Sequence, residues 1–97
     1  SNTTPLVMMY DVYIRRYSFS NSNSAGGCRL LIYRYDAGVT NETLIHTSAT
    51  LTGRTYYLPS DLNLAVNAGQ GIGIYIEQVT GTQPANVAVL LLIEGAN

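Results

Sequence analysis

Charge is what this 97-residue chain has least of: 11% of its residues are Asp, Glu or Arg, and none is Lys. That is less than half the usual share for a soluble domain. Five Arg against six carboxylates leave a formal net charge of −1, so there is no broad basic surface. Nucleic acid and anionic membrane surfaces are therefore poor partners. Long apolar runs are also missing. The longest, Val87 to Ile93, falls well short of the roughly 20 residues that span a bilayer. Ser1 to Pro5 lack the basic-then-apolar pattern of a secretion signal. Cys28 is the only cysteine, which excludes an internal disulfide and says little about compartment.

Catalytic chemistry is thin for the same reason. His46 has Thr47 and Ser48 beside it, but neighbours in a strand point to opposite faces, so only Ser48 shares its face. The expected role is a surface or edge histidine in a Thr-rich strand. A Cys28–His46 dyad lacks the cationic or helix-terminal setting that lowers a thiol pKa, so Cys28 reads as a small buried apolar residue. Glu77 and Glu94 both lie off the apolar parity of their strands. A pair at the right separation would suit glycoside hydrolysis, although a solvated face is the plainer reading. There is no His pair, Cys spacing or Asp-rich loop, and Asp36, Glu42 and Asp61 are too scattered for a calcium loop. Gly69, Gly71 and Gly73 lead into a strand rather than a helix. They read as a tight turn plus thin strand positions, not as a phosphate loop. No cofactor or metal is implied. Asn2-Thr3-Thr4 and Asn41-Glu42-Thr43 satisfy the glycosylation rule, which means little without a secretory route.

What the chain does have is period-2 alternation. Met8, Tyr10, Val12 and Ile14 predict a strand over about Val7 to Phe19. The Ser, Asn and Gly run from Ser20 to Gly27 is a loop. Cys28 to Tyr35 predicts a second strand, ended by Asp36-Ala37-Gly38. Shorter strands are expected over Leu44 to Leu51, over Arg54 to Leu58, and around Leu62, Leu64 and Val66. Ile72, Ile74 and Ile76 alternate in another, and Val87 to Ile93 form a last strand apolar on both parities. No window shows helical spacing with caps. The expected fold class is all-β: an antiparallel two-sheet sandwich or barrel of one domain over residues 7–97, after an N-terminal arm of residues 1–6.

Apolar material is in surplus on the parity that a two-layer sandwich turns to water. With Met8, Val12, Ile14, Leu30, Ile32, Ile72, Ile74, Ile76, Val87, Val89, Leu91 and Ile93 as core, there remain Met9, Tyr13, Tyr17, Leu31, Tyr33, Tyr35, Tyr75, Leu90 and Leu92. Tyrosine suits interfaces, offering a rigid apolar body with one polar handle. Few charges are left to keep a lone copy soluble. These residues are expected at a homo-oligomer or lattice interface, with Arg15, Arg16 and Arg29 as positioning contacts. Tyr56 and Tyr57 are candidate sugar-stacking residues for the alternative of a carbohydrate-binding module.

The stretch Leu64 to Val89 resembles small jelly-roll domains of tailed-bacteriophage virion proteins. In those, a strand ends in an Ala-Gly-Asp turn, here Ala68-Gly69-Gln70. An alternating strand follows, here Gly71-Ile72-Gly73-Ile74-Tyr75-Ile76-Glu77, then a Gly-Ser/Thr-x-x-Pro loop, here Gly81-Thr82-Gln83-Pro84-Ala85, and an alternating last strand. Ala25-Gly26-Gly27 sits where such domains carry Gly before a core strand. Gln70 departs from the pattern, removing a turn-capping carboxylate. The same architecture occurs in trimers of the complement and tumour-necrosis-factor type. The resemblance therefore implies a jelly-roll trimer without enzymatic activity on a virion surface. It would act as a capsid decoration or cement protein bound to another virion protein, or as a tail-fibre tip meeting host surface glycans. Ser1 is compatible with removal of an initiating Met, and the expectation is a nearly whole gene product with no fibre stalk.

Overall fold

Alternating strands need one dry face each, and two facing sheets supply it in the computed structural model, which describes residues 5–23, 27–37, 40–52 and 55–96. The elements are β1 (Leu6–Val7), β2 (Val12–Ser20), β3 (Cys28–Ala37), β4 (Thr40–Thr47), β5 (Thr55–Tyr57), β6 (Leu64–Val66), β7 (Gly71–Gln78) and β8 (Ala88–Gly95). The described chain is all-β, and every strand pair is antiparallel. One sheet runs β1-β7-β3-β4. In the other, β8 follows one edge of β2 from Val12 to Ser20, while β6 and β5 share the opposite edge at Val12–Ile14 and Ser18–Ser20. Between these two short pairings, Leu58 N–H and Leu62 N–H donate to the carbonyls of Tyr17 and Arg15. The whole measures 39 × 28 × 18 Å.

The predicted first strand is two. β1 pairs with β7, the chain leaves that sheet at Met8, and β2 enters the other. Met8 is held by backbone bonds to Gln70 and Gly69, and Met9 and Tyr10 project from the crossing into solvent. Period-2 patterning cannot report such a change of sheet, because apolar alternation continues through it. Leu6, assigned to the arm, pairs with Ile72 of its own chain; residues 1–4 of that arm lie outside the described residues. So do Ala25 and Gly26 of the Gly-rich loop, Gly38 of the turn after β3, and Arg54 of the strand expected over Arg54 to Leu58. The strand expected from Leu44 to Leu51 starts earlier and ends at Thr47. Beyond it the chain stays beside β3 through Ser48 N–H to Leu30 O and the Cys28–Leu51 bridge.

The core lies between the two central strands. Val12, Ile14, Leu30, Ile32 and Ile72 are buried as expected, joined by Phe19, Cys28, Leu51 and Val66. Met8, Ile74, Ile76, Val89, Leu91 and Ile93, also expected inside, are half-buried at its margins, and Val87 is exposed.

Tyr17 is a correction. Expected on the outer face, it is 2% exposed and belongs to the core. Ile14 pairs with Ile93 and Arg16 with Leu92, so Arg15 is an extra residue, a β-bulge that reverses the parity of β2. Val12 and Ile14 face inward before it, and Tyr17 and Phe19 after it. Tyr35, likewise expected at an interface, is a second correction at 4% exposure. It stays on the outer face, but its ring lies against Gly73 on β7, where a Cβ would fall 2.7 Å from Tyr35 Cε1. Its hydroxyl donates to Glu42 Oε2 at 2.6 Å. Leu31 is buried on the same face.

The β6–β7 turn is capped by side chains from within and from outside it. Gly69 takes φ +86°, which glycine adopts without strain. Gln70 Oε1 accepts the Asn67 N–H at 2.8 Å, and Asp11, from a distant segment, accepts the Ala68 N–H at 2.9 Å.

Candidate functional site

The side chains left over from the core lie on two outer faces. On the first sheet, antiparallel register places Leu31 beside Tyr75, and Tyr33 between Gly73 and Leu44. Tyr75 and Leu44 are exposed, and Tyr33 is half-buried. Arg29 on that face pairs with Glu77 at 2.7 Å.

On the second sheet, β8 sets Leu90 beside Ser18, Leu92 beside Arg16, and Glu94 beside Tyr13. Leu90 is 73% exposed and Leu92 50%. Arg16, Tyr57, Ser18, Leu90 and Leu92 border a shallow cleft of about 220 Å³. One wall is fixed: Arg16 Nε donates to Asp61 Oδ1 at 2.6 Å, and Nη1 donates to Tyr57 Oη at 2.9 Å. The Asp61 hydrogen bond, followed by that of Tyr57, raises the guanidinium pKa further above its already high value. Arg15 is held in the same way, by Glu94 at 3.1 Å and by Asn63, with its guanidinium 4.7 Å from the Tyr13 ring centroid. The three arginines expected as positioning contacts thus each hold a carboxylate of their own chain. They remain partly exposed and frame the apolar surface rather than lie free beside it.

Of the expected interface residues, Met9, Tyr75, Leu90 and Leu92 are exposed, Tyr13 and Tyr33 are half-buried, Tyr17 is in the core, and Tyr35 is buried on the outer face. The two tyrosines expected to stack sugars are separated by the strand they share. Tyr57 faces outward, whereas Tyr56 faces the core with its ring centroid 6.2 Å from that of Tyr17. The cleft itself was not visible in the sequence, because Arg16, Tyr57 and Leu90 come from three separate segments.

The chemical candidates do not converge. Glu77 and Glu94 lie on the outer faces of different sheets, so they cannot flank one glycosidic bond. His46 is paired opposite Ile32, four residues along β3 from Cys28, or about 13 Å at strand rise. It lies on β4, the edge strand of its sheet, as expected, and is half-buried there, with Nε2 3.1 Å from Tyr17 Oη. Ser48 Oγ accepts from Leu30 N–H and donates to Ala49 O, and it is also a side-chain hydrogen-bond partner of Tyr17. Burial pushes the Cys28 thiol pKa up. Among the described residues no three His, Cys, Asp or Glu are grouped as a metal site would need, and no helix is long and apolar enough to cross a membrane.

No family model, curated protein or solved structure matches this chain.

Proposed function

We propose that this chain is a non-enzymatic structural module that works as a homo-oligomer on a phage virion surface, as a capsid decoration or cement protein. The observation that carries the reading is the outer face of β8, where Leu90 and Leu92 stand in solvent beside Tyr57. Exposed apolar side chains grouped on one face mark an interaction surface, and a chain with 11% charged residues has little else to bind through. A module that binds only the assembled shell stabilises it by mass action, multiplied over its copies. Support for the jelly-roll reading comes from the nesting of the pairs: β2 with β8 and β3 with β7, as in a long hairpin folded over on itself. The glycan-binding alternative is weakened, because Tyr56 turns inward and leaves Tyr57 without a second ring.

The test is light scattering of the purified chain, followed by asking whether it copurifies with particle heads or with tails. An oligomer found with heads is the expected result. Copurification with tails moves the reading to the fibre tip, and a monomer, or a chain that associates with no particle, overturns it.

A further inference from the structure

We infer that β8 is a pairing edge whose partner is the β8 of a second copy, antiparallel about a two-fold axis at Leu91. The inference rests on the homo-oligomer reading and names its contact. Among the described residues β8 pairs with β2 alone, which leaves its other row of N–H and C=O groups facing outward. Stable monomers guard such an edge with Lys, Pro, a bulge or an inward-pointing charge. Val87 to Ile93 holds neither charge nor proline, and the bulge of the β2–β8 pair lies on β2.

A strand meets its own copy well only if it reads alike in both directions, because a two-fold contact sets each residue i against j and each j against i. About Leu91, β8 does. Leu90 falls opposite Leu92 of the second copy, Val89 opposite Ile93, and Ala88 opposite Glu94. Leucine meets leucine on the outer face, β-branched residues meet on the core side, and the only charge meets a methyl group. The two Glu94 carboxylates stand six positions apart, about 20 Å, beyond the screening length at physiological salt, and each is held by its own Arg15 at 3.1 Å. A strand from an unrelated protein would make no use of this symmetry. Eight residues make an edge about 27 Å long, and with the sandwich 18 Å through its thin direction the contact covers about 500 Å² of each copy. The total of about 1,000 Å² is at the lower bound for a specific interface, which suits a concentration-dependent dimer.

Sedimentation velocity on the full chain over about 1–200 μM tests the mass, and a dimer that dissociates within that range is expected. Cross-linking tests the register. Leu90→Cys and Leu92→Cys alter exposed side chains, and a far-ultraviolet spectrum unchanged from the parent confirms folding. Directly opposed Cα atoms about 4.5–5.5 Å apart accept a disulfide, while diagonal neighbours at about 7–8 Å do not. Mild oxidation of the two variants mixed is therefore expected to give at least about fivefold more linked dimer than either variant alone. The buried Cys28 takes no part. A trimeric mass, or equal linking in mixed and unmixed samples, overturns the β8 contact and leaves the homo-oligomer reading standing. A monomer across the whole range overturns both.

Discussion

Tyr17 Oη on β2 and His46 Nε2 on β4 lie 3.1 Å apart, one hydrogen bond joining the two sheets through the edge of the core. The rings are tilted by 58° with centroids 5.5 Å apart, so the pair packs as well as bonds. Burial, and secondarily the neighbouring Tyr56, holds the Tyr17 hydroxyl above its usual ionisation range, while burial holds the His46 imidazole below its own. Both are therefore neutral at pH 7, and the bond between them is a neutral one.

Protonation of His46 is expected to destabilise the fold. Its folded-state pKa lies below the unfolded value of about 6.5, so the unfolded chain takes up the proton first as pH falls. The stability contributed by the neutral ring is complete above about pH 6.5 and is lost as pH drops through the folded-state value. The slope is at most about 1.4 kcal/mol per pH unit for one proton. Urea midpoints should be flat from pH 8 to about 6.5 and decline below it. In His46→Gln, which keeps an acceptor but takes no proton, the decline should be absent until the carboxylates begin to titrate. An identical decline in both proteins would remove His46 as its cause.

Tyr17→Phe keeps the ring and deletes the bond. The expected loss is about 1 kcal/mol, since His46 is only half-buried and water can replace the missing partner in part. Tyr17→Ala opens a cavity in the core, and about 3–5 kcal/mol is expected. Urea unfolding with the slope unchanged separates the two losses from effects on the unfolded chain.

These two residues also mark the limit of what the sequence carries. In β3 and β7 the alternation alone puts Leu30, Ile32 and Ile72 inside, because both strands keep one parity through their inner residues. In β2 the same reading is right for Val12 and Ile14 and wrong for Tyr17, three residues later. The physical clue is Arg15-Arg16: two adjacent arginines in a half-buried strand cannot both reach water unless a bulge lets them. Tyr35 needed more than its own strand. Its burial depends on a glycine at position 73, and only the β3–β7 register brings the two together. The Arg16–Tyr57–Leu90 cleft is a product of tertiary assembly, with no local spacing to announce it. The exposed leucines of β8 were legible, because a strand apolar on both parities at a sheet edge must show one of them to solvent.

Gly73→Ala is expected to destabilise the protein by about 1–3 kcal/mol. The added methyl would fall 2.7 Å from Tyr35 Cε1, and the ring cannot withdraw without giving up its bond to Glu42. Gly81→Ala is the control, because nothing lies within 4 Å of a Cβ at that position. Its effect should stay within about 0.5 kcal/mol. Thermal or urea unfolding of the two variants side by side checks the contrast, and equal losses would mean that the Tyr35–Gly73 contact has no steric weight.

Cys28 is expected to be inert while the chain is folded. Its side chain is fully buried, its Sγ lies 4.0 Å from Leu51 O, and burial pushes the thiol above its usual pKa. A thiol reagent attacks the thiolate, so both access and ionisation oppose the reaction. Labelling by a chromogenic disulfide at pH 8 should be slow in buffer and complete within the mixing time in concentrated urea. Between those limits the rate should track the unfolded or locally opened fraction, so Gly73→Ala and Tyr17→Ala should both accelerate it in proportion to the stability they remove. Rapid labelling of the native parent chain would mean that the strand pair Cys28–Leu51 opens independently of the core, and would place the weakest point of the sandwich at the start of β3.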